Sequence, residues 1–526
     1  MVRQKAGSAR EVFSSRFAFV AAAIGMAVGT GNIWRFPRDV GAGGGGVFII
    51  AVVLANLVWA IPLLMAESLL GSRSRLGTVG AFRDFMGRKF AWMGGFMAVV
   101  TIGILFYYTV ICGWAIRYFG YAVSGKFTSG IGTEQTSKLW DDFVATPAQT
   151  ILFHVIAALL VGFVVIRGLK GGLEKVLNVT VPTLFVILVL LAIRAMTLPG
   201  AGDGLRYMFV PDWSGFLDGE MWLGAFVQMA FSTGAGWGLY LTYSVYMRKK
   251  EDFALNSGIV VAGNHLASLL AGIAVICTVF AMQSPHYAQE AVGAGDQGLM
   301  FVYLAALFGQ MPGGTWFFGP LFFLVLVLAG LSSLIAMMEL AVRNVIDFGI
   351  KRKKAVVAVV LVTLVGGIPS ALDLDVLTNQ DNVWGVGLLI SGLFAAIAMM
   401  RYGLERARRE LDRASDFRVG TWWKVLIGMF PLMAAVVFGW FMYLSITDSS
   451  QTWYDPFQTF SVGTMVLQWV AVFVVTLLLN SLFYRRISRG PLTAEGVGSV
   501  HAPAPAPDTG VEGHADVSVA HRTEEG

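Results

Sequence analysis

Long apolar runs alternate with short polar ones from end to end of this chain. Twelve runs reach the length of about 20 residues that a membrane-crossing helix needs: 17–38, 47–70, 91–121, 148–167, 173–198, 221–246, 253–282, 315–348, 354–370, 379–401, 422–446 and 459–484. Two of them are interrupted. The first carries Gly25, Gly29 and Gly31, followed by Asn32 and Arg35; the sixth reads FSTGAGWGLY, with Gly234, Gly236 and Gly238. Glycine is a poor helix former, and backbone that leaves the helix at bilayer depth is tolerated only where protein or a water-filled cavity covers it. Both runs are therefore expected to break inside the membrane. They open two successive groups of five runs. Five is odd, so the second group enters from the opposite side, and paired interrupted segments in two inverted halves point to a binding site near the midplane.

Composition agrees with this pattern. The 526 residues are 56% hydrophobic and 13% charged, where a soluble domain carries roughly 25% charge. The first run is too long for a signal peptide and is followed at once by further runs, so it is read as mature protein. Basic residues fill alternate loops: Arg3 to Arg16, Arg73 to Lys89, Lys170 and Lys175, Arg248 to Lys250, Lys351 to Lys354, Arg401 to Arg418, and Arg485 to Arg489. The positive-inside rule places these loops, and both termini, in the cytoplasm of a multi-pass protein of the cell membrane. The net charge of +5 then reports topology and not nucleic-acid binding. Cys112 and Cys277 both fall within apolar runs, so neither a disulfide nor a metal site is expected.

The expected organisation is a short cytoplasmic segment (1–16), a ten-helix core (17–401, its halves about 17–198 and 221–401), a charged cytoplasmic helix (402–420), two further spans (421–487) and a Pro/Ala-rich tail (488–526) with little to bury. Loop 283–313 has an apolar helical centre between Gly and Pro breaks and is expected to fold over the outer vestibule.

An unwound first run offers free carbonyls to a cation and free amides to an anion. Asn32, Ser232, Asn264 and the AGLSS turn at 329–333 add neutral oxygens. Such a cage suits Na⁺ and does not suit Zn²⁺ or copper, which prefer nitrogen and sulfur. No nucleophile–base pair, metal cluster or phosphate loop stands out in the spans, so the chain is not read as an enzyme.

At this point the motifs resemble those of the neurotransmitter:sodium symporter family. GNIWRFP (31–37), GGG (44–46), IPLLMAE (61–67), FYYTVICGW (106–114), IRGLKGGLEK (166–175), QMAFSTGAGWG (228–238), YSVYMRK (243–249), AGLSSLIAMME (329–339) and NQDNVWG (379–385) occur in the family's order. The resemblance implies an all-α, twelve-helix, leucine-transporter-like fold with two inverted five-helix repeats and two extra helices. It implies one sodium site from Ala27, Asn32, Ser232, Asn264 and the substrate carboxylate. A second would use Gly25, Val28, Ala329, Ser332 and Ser333. The carboxylate would meet Thr30, Gly31 and Tyr108, and the amine would meet carbonyls of the two broken helices. Ile104, Phe231, Gly234, Trp237, Ser333 and Met337 would form the side-chain pocket. Arg35, Asp381 and Phe231 would make the outer gate, and Arg10 with Asp347 the inner one. In relatives the spacing of Gly172 and Pro182 allows local unwinding.

Position 29 is glycine where monoamine-carrying relatives place an aspartate, so an amino acid that brings its own carboxylate is favoured. The expected activity is sodium-coupled symport of a neutral, hydrophobic amino acid by alternating access. A compact osmolyte-like amino acid (glycine, betaine or GABA-like) and a non-translocating amino acid sensor remain as alternatives. Val52 replaces the tyrosine of chloride-dependent relatives while Ser268 is kept, so chloride coupling stays open, as does the oligomeric state.

Overall fold

The computed structural model describes residues 11–248, 250–282, 295–447 and 452–487, and all of their regular structure is helical. Ser15 starts the first helix, α1 (Arg16–Ala27), by accepting the Ala18 N–H on its hydroxyl. The chain leaves the helix at Val28 and Gly29 and re-enters it as α2 (Thr30–Ala42), bent by 67° from α1. The four glycines at 43–46 then allow a tight corner. Gly45 has φ +65, and a Cβ there would lie 2.1 Å from the Tyr207 carbonyl; one at Gly43 would lie 2.6 Å from the Phe48 ring. Beyond the corner come α3 (Gly46–Ser74), α4 (Thr78–Met86), α5 (Arg88–Val123), α6 (Thr133–Val144), α7 (Pro147–Val165), α8 (Leu169–Met196) and α9 (Ala201–Phe209). Helix α8 opens with a π-helical turn over Leu169–Glu174, the stretch that holds Gly172.

The second half repeats the interruption. Asp218 caps α10 (Gly219–Thr233), which stops where Gly234 turns to φ +72. Gly236 and Gly238 also adopt positive φ, +91 and +77, a region that costs a side-chain-bearing residue energy and glycine little. The chain resumes helix as α11 (Leu239–Ser244). Then follow α12 (Phe253–Met282), α13 (295–310), α14 (Gly314–Asp347), α15 (Arg352–Leu372), α16 (Leu374–Tyr402), the charged α17 (Leu404–Arg413), α18 (Thr421–Thr447) and α19 (Val462–Arg486).

Ten of the described helices are long and apolar enough to span a membrane, and the bent α1–α2 pair makes an eleventh. The run expected as the sixth span is divided into α10 and α11, and neither piece reaches spanning length by itself. Burial ranks the helices. The most apolar windows of α5 and α16 are 78% buried, whereas those of α18 and α19 are 22% and 28% buried. Helices α5, α14 and α16 therefore form the interior with the broken pairs, and α18 and α19 lie at the rim with apolar side chains outward. Helix α17 keeps only Ala407 and Leu411 buried and carries the Arg408–Glu405 and Lys424–Glu405 ion pairs. The 488–526 tail lies outside the described residues.

Close backbone approach holds α11 in place. A Cβ on Gly71 of α3 would sit 2.0 Å from the Leu241 carbonyl, an overlap with backbone that no rotamer relieves. Gly71→Ala is expected to lower the unfolding temperature of the purified protein by several degrees, the size of an overpacking penalty of about 1–3 kcal/mol. A thermal-shift comparison with Gly31→Ala, whose Cβ would meet nothing within 4 Å, checks this.

Candidate substrate and ion site

The two breaks face each other, and each frees peptide groups that need new partners. At the first, the Asn32 Oδ1 accepts the Gly29 N–H at 2.8 Å, and the Tyr108 hydroxyl accepts the Thr30 N–H at 2.8 Å. At the second, Glu67 of α3 is wholly buried. Its carboxylate accepts the Gly236 N–H at 2.6 Å and the Leu241 N–H at 3.1 Å. Trp237 donates its indole N–H to the Ala230 carbonyl at 3.0 Å, bridging the break, and its own carbonyl accepts from Thr101 at 2.7 Å. Glu67 lies in a motif noted above without a role. Its signal was an acidic residue in an otherwise apolar span, which is a functional pointer by default.

Between the breaks lies a cavity. Met26, Ala27, Gly29, Thr30, Gly31 and Asn32 line one wall. Tyr108, Ile111, Phe231, Ser232, Gly234, Trp237, Ser333 and Met337 complete it, with Trp34, Arg35, Tyr107, Gln228 and Asp381 toward one end. Ile104 is the exception among the expected pocket residues. It is fully buried but does not line the cavity, and Ile111 on the same helix does. Helix α5 is packed on nearly all sides, so spacing alone does not tell which isoleucine faces the opening.

The residues expected to form the first sodium site converge beneath the cavity. Asn32 Nδ2 lies 2.9 Å from Ser232 Oγ, 2.8 Å from Asn264 Oδ1 and 2.8 Å from Ser268 Oγ. Two amide hydrogens face more oxygens than they can serve. Asn264 fits in either amide orientation. With its nitrogen inward it donates to the Ser232 and Ala27 carbonyls at 3.0 and 3.1 Å; with its oxygen inward, three acceptors face one another at those distances. In the second arrangement the oxygen accepts from Asn32 Nδ2, and a bound cation would offset the repulsion of the facing carbonyls. Asn32 differs from the expectation in that its nitrogen, not its oxygen, points into the cluster. The oxygen is taken by the freed Gly29 amide.

The residues expected to form the second site also meet. Ser332 Oγ lies 3.4 Å from the Val28 carbonyl and 3.0 Å from that of Ala329; Ser333 Oγ lies 3.5 Å from the Val28 carbonyl. Gly25 faces Ser332 so closely that a Cβ on it would stand 3.4 Å from the serine Cβ, and 2.8 Å from Val181. All of these ligand candidates are neutral oxygens, a set suited to a hard cation.

At one end of the cavity, Arg35 pairs with Asp381 at 2.5 Å, and its guanidinium lies 4.1 Å from the Phe231 ring centroid. Tyr107, which the sequence reading passed over, donates to Asp381 at 2.8 Å. Asp296 of α13 was also missed. It lies 3.0 Å from Arg38 and 3.7 Å from Arg35. Burial raises its carboxyl above the ordinary range, against the pull of the two guanidiniums. At the opposite end, the Phe13 N–H donates to the Tyr246 carbonyl at 3.1 Å, and the Phe13 ring packs edge-on against Tyr243 and Tyr246. Asp347 pairs with Arg343 at 2.8 Å and accepts the Gly77 N–H at 2.6 Å; Arg10 lies outside the described residues. Tyr246 donates to Glu339, which also pairs with Arg352.

Comparison with known proteins identifies the family. The model of the sodium:neurotransmitter symporter family matches residues 10–142 and 135–488. An uncharacterized sodium-dependent transporter of Methanocaldococcus jannaschii, MJ1319, is 32% identical over 90% of this chain and 98% of its own. The sodium-dependent serotonin transporter of Drosophila melanogaster is 26% identical over 79% of this chain and 74% of its own. Among solved structures, MhsT in complex with L-phenylalanine superposes with a TM-score of 0.70 at 27% identity, over 82% of this chain and 98% of that one. Fold, site and relatives thus define a sodium-dependent membrane transporter. The chain belongs to the sodium:neurotransmitter symporter family.

The Phe231 ring reaches its place over the cavity only because residue 385 is glycine. A Cβ there would fall 1.7 Å from the ring. Gly385→Ala is expected to displace Phe231 and cut uptake at least tenfold while the protein still folds. Uptake assays together with size-exclusion profiles check this.

Proposed function

We propose that this transporter carries a neutral, hydrophobic amino acid inward with sodium by alternating access. One observation carries the reading. The polar corner made by Thr30 and Tyr108 adjoins the oxygen cluster of Ala27, Ser232 and Asn264. A substrate carboxylate at that corner reaches the amides of Thr30 and Gly31 on one side and a sodium ion held by the cluster on the other. The shared contact couples the two ligands. Each raises the affinity of the other by the same factor.

The remaining assignments follow the same logic. Ala27, Ser232 and Asn264 hold the first ion, joined by Asn32 once its amide turns over; Gly25, Val28, Ala329, Ser332 and Ser333 hold the second. Below the Arg35–Asp381 pair the cavity wall carries no charged side chain, and Met26, Ile111, Phe231, Trp237 and Met337 make it apolar. A Cβ on Gly29 would fall 2.5 Å from the Tyr108 hydroxyl and 2.9 Å from Ser333 Oγ, so no carboxylate fits there as counter-ion to an amine. The complex of the related MhsT with L-phenylalanine supports the same substrate class. We infer twelve spans, with 17–198 and 221–401 as inverted halves and both termini cytoplasmic. In this arrangement α1–α2 and α10–α11 are the corresponding broken members. Arg35, Asp381 and Phe231 close the outer side, and Arg10 with Asp347 the inner. Inward movement of net positive charge gains about 2.3 kcal/mol per charge per 100 mV of membrane potential.

The test is uptake into proteoliposomes of a panel of amino acids, with and without a sodium gradient. Neutral apolar members are expected to accumulate only with sodium; accumulation of none, or independence of sodium, overturns the reading. Ser333→Ala removes a ligand of the second ion and is expected to raise the half-saturating sodium concentration about tenfold, the size of one lost bond to a charged group. A sodium curve identical to that of the unmodified chain would remove Ser333 from the ion site.

A further inference from the structure

Arg35 is held from two sides, and only one of them belongs to the gate pair described above. Asp381 of α16 takes its Nη2. The other side is met by a loop helix: Asp296 of α13 lies 3.7 Å from Arg35 Nε and 3.0 Å from Arg38 Nη1. The Asp296 side chain is 11% exposed, and that of Arg35 is 12% exposed. The rest of α13 is anchored by apolar contact. Leu299, Met300 and Phe301 are buried, and the Phe301 ring stacks on Trp140 of α6 with centroids 5.0 Å apart. Phe301 also meets Trp34 of α2 edge-on at 6.4 Å. The loop helix thus touches the broken first span by one ring and one carboxylate.

A buried charge stripped of its partner costs several kcal/mol. Asp296 is stable in its buried place only while Arg35 and Arg38 face it, so a tilt of α2 that carried the two guanidiniums away would leave its carboxylate unpaired. Arg38 has a further partner on its own helix, Asp39 at 2.6 Å, so it does not leave with the loop. We propose that Asp296 is the loop-borne arm of the outer gate, a positioning residue that locks α13 over the closed Arg35–Asp381 pair and couples loop docking to substrate occlusion. This rests on the transport reading above for its meaning, but not for its test.

The test uses the full-length protein in liposomes, with Cys112→Ser and Cys277→Ser to remove native thiols. Ile111→Cys then places a thiol in the cavity wall beneath the gate. The readout is the rate of its modification by a membrane-impermeant methanethiosulfonate in sodium chloride. Adding Asp296→Asn is expected to raise that rate about tenfold or more, and Asp296→Glu is expected to leave it near the parent rate. Should Asp296→Asn fail to fold, Arg38→Gln removes the other half of the contact and is expected to raise the rate likewise. A parent-like rate in the asparagine variant, or in Arg38→Gln where that variant decides, overturns the proposal. So does equal acceleration by asparagine and glutamate. Absence of sodium-driven uptake in the unmodified chain would sink the transport reading and leave this accessibility result standing.

Discussion

A peptide group inside a membrane must find a hydrogen-bond partner, and the two helix breaks depend on meeting that demand. An unsatisfied buried donor costs about 1–3 kcal/mol in a protein interior, and more where no water reaches it. Four freed amides are answered here by side chains: Gly29 by Asn32, Thr30 by Tyr108, and Gly236 and Leu241 by Glu67. The two breaks are served differently. Glu67 gives its carboxylate wholly to the second break and lies outside the cavity wall, so it acts as a fixed brace. Asn32 and Tyr108 line the cavity, so the partners of the first break stand where ligands would enter. On the transport reading, binding there is an exchange: a carboxylate replaces the Tyr108 oxygen at the Thr30 amide, and a cation reverses the preference of the Asn264 amide.

The parts legible in the sequence were those written in local chemistry. Three glycines in each interrupted run marked both breaks, and the structure leaves the helix at Val28–Gly29 and over 234–238. The sixth run, 221–246, is split by its break into α10 and a six-residue α11, so helix length by itself does not report it as a span. Motif order pointed to two groups of serines, asparagines and carbonyls, and the structure places Asn32, Ser232 and Asn264 together in one and Ser332 and Ser333 beside the Val28 and Ala329 carbonyls in the other. What escaped was orientation and long-range pairing. Ile104 and Ile111 both sit on a helix buried nearly all round, where no polar face marks the direction of the cavity. The orientation of Asn32 depends on the amide of Gly29, which is freed only once the helix has broken. Asp296 and Tyr107 join the Arg35–Asp381 pair from parts of the chain far from Arg35 in sequence, and no spacing rule reaches across that distance.

Two further glycines let α10 and the second break lie close against α16. Gly236 at the second break would, with a Cβ, come within 3.0 Å of the Gly392 Cα on α16, and Gly385 on the same helix receives the Phe231 ring. Helix α16 therefore meets α10 and its break through residues without side chains, at Gly385 and Gly392. At Gly385 the Phe231 ring fills the gap that a side chain would occupy, and at Gly392 backbone packs on backbone. Glu67 holds the other flank, since its two bonds tie Gly236 and Leu241 to α3. The second break is thus fixed from two sides, by a carboxylate on α3 and by close contact with α16, the helix that also carries Asp381, the partner of Arg35.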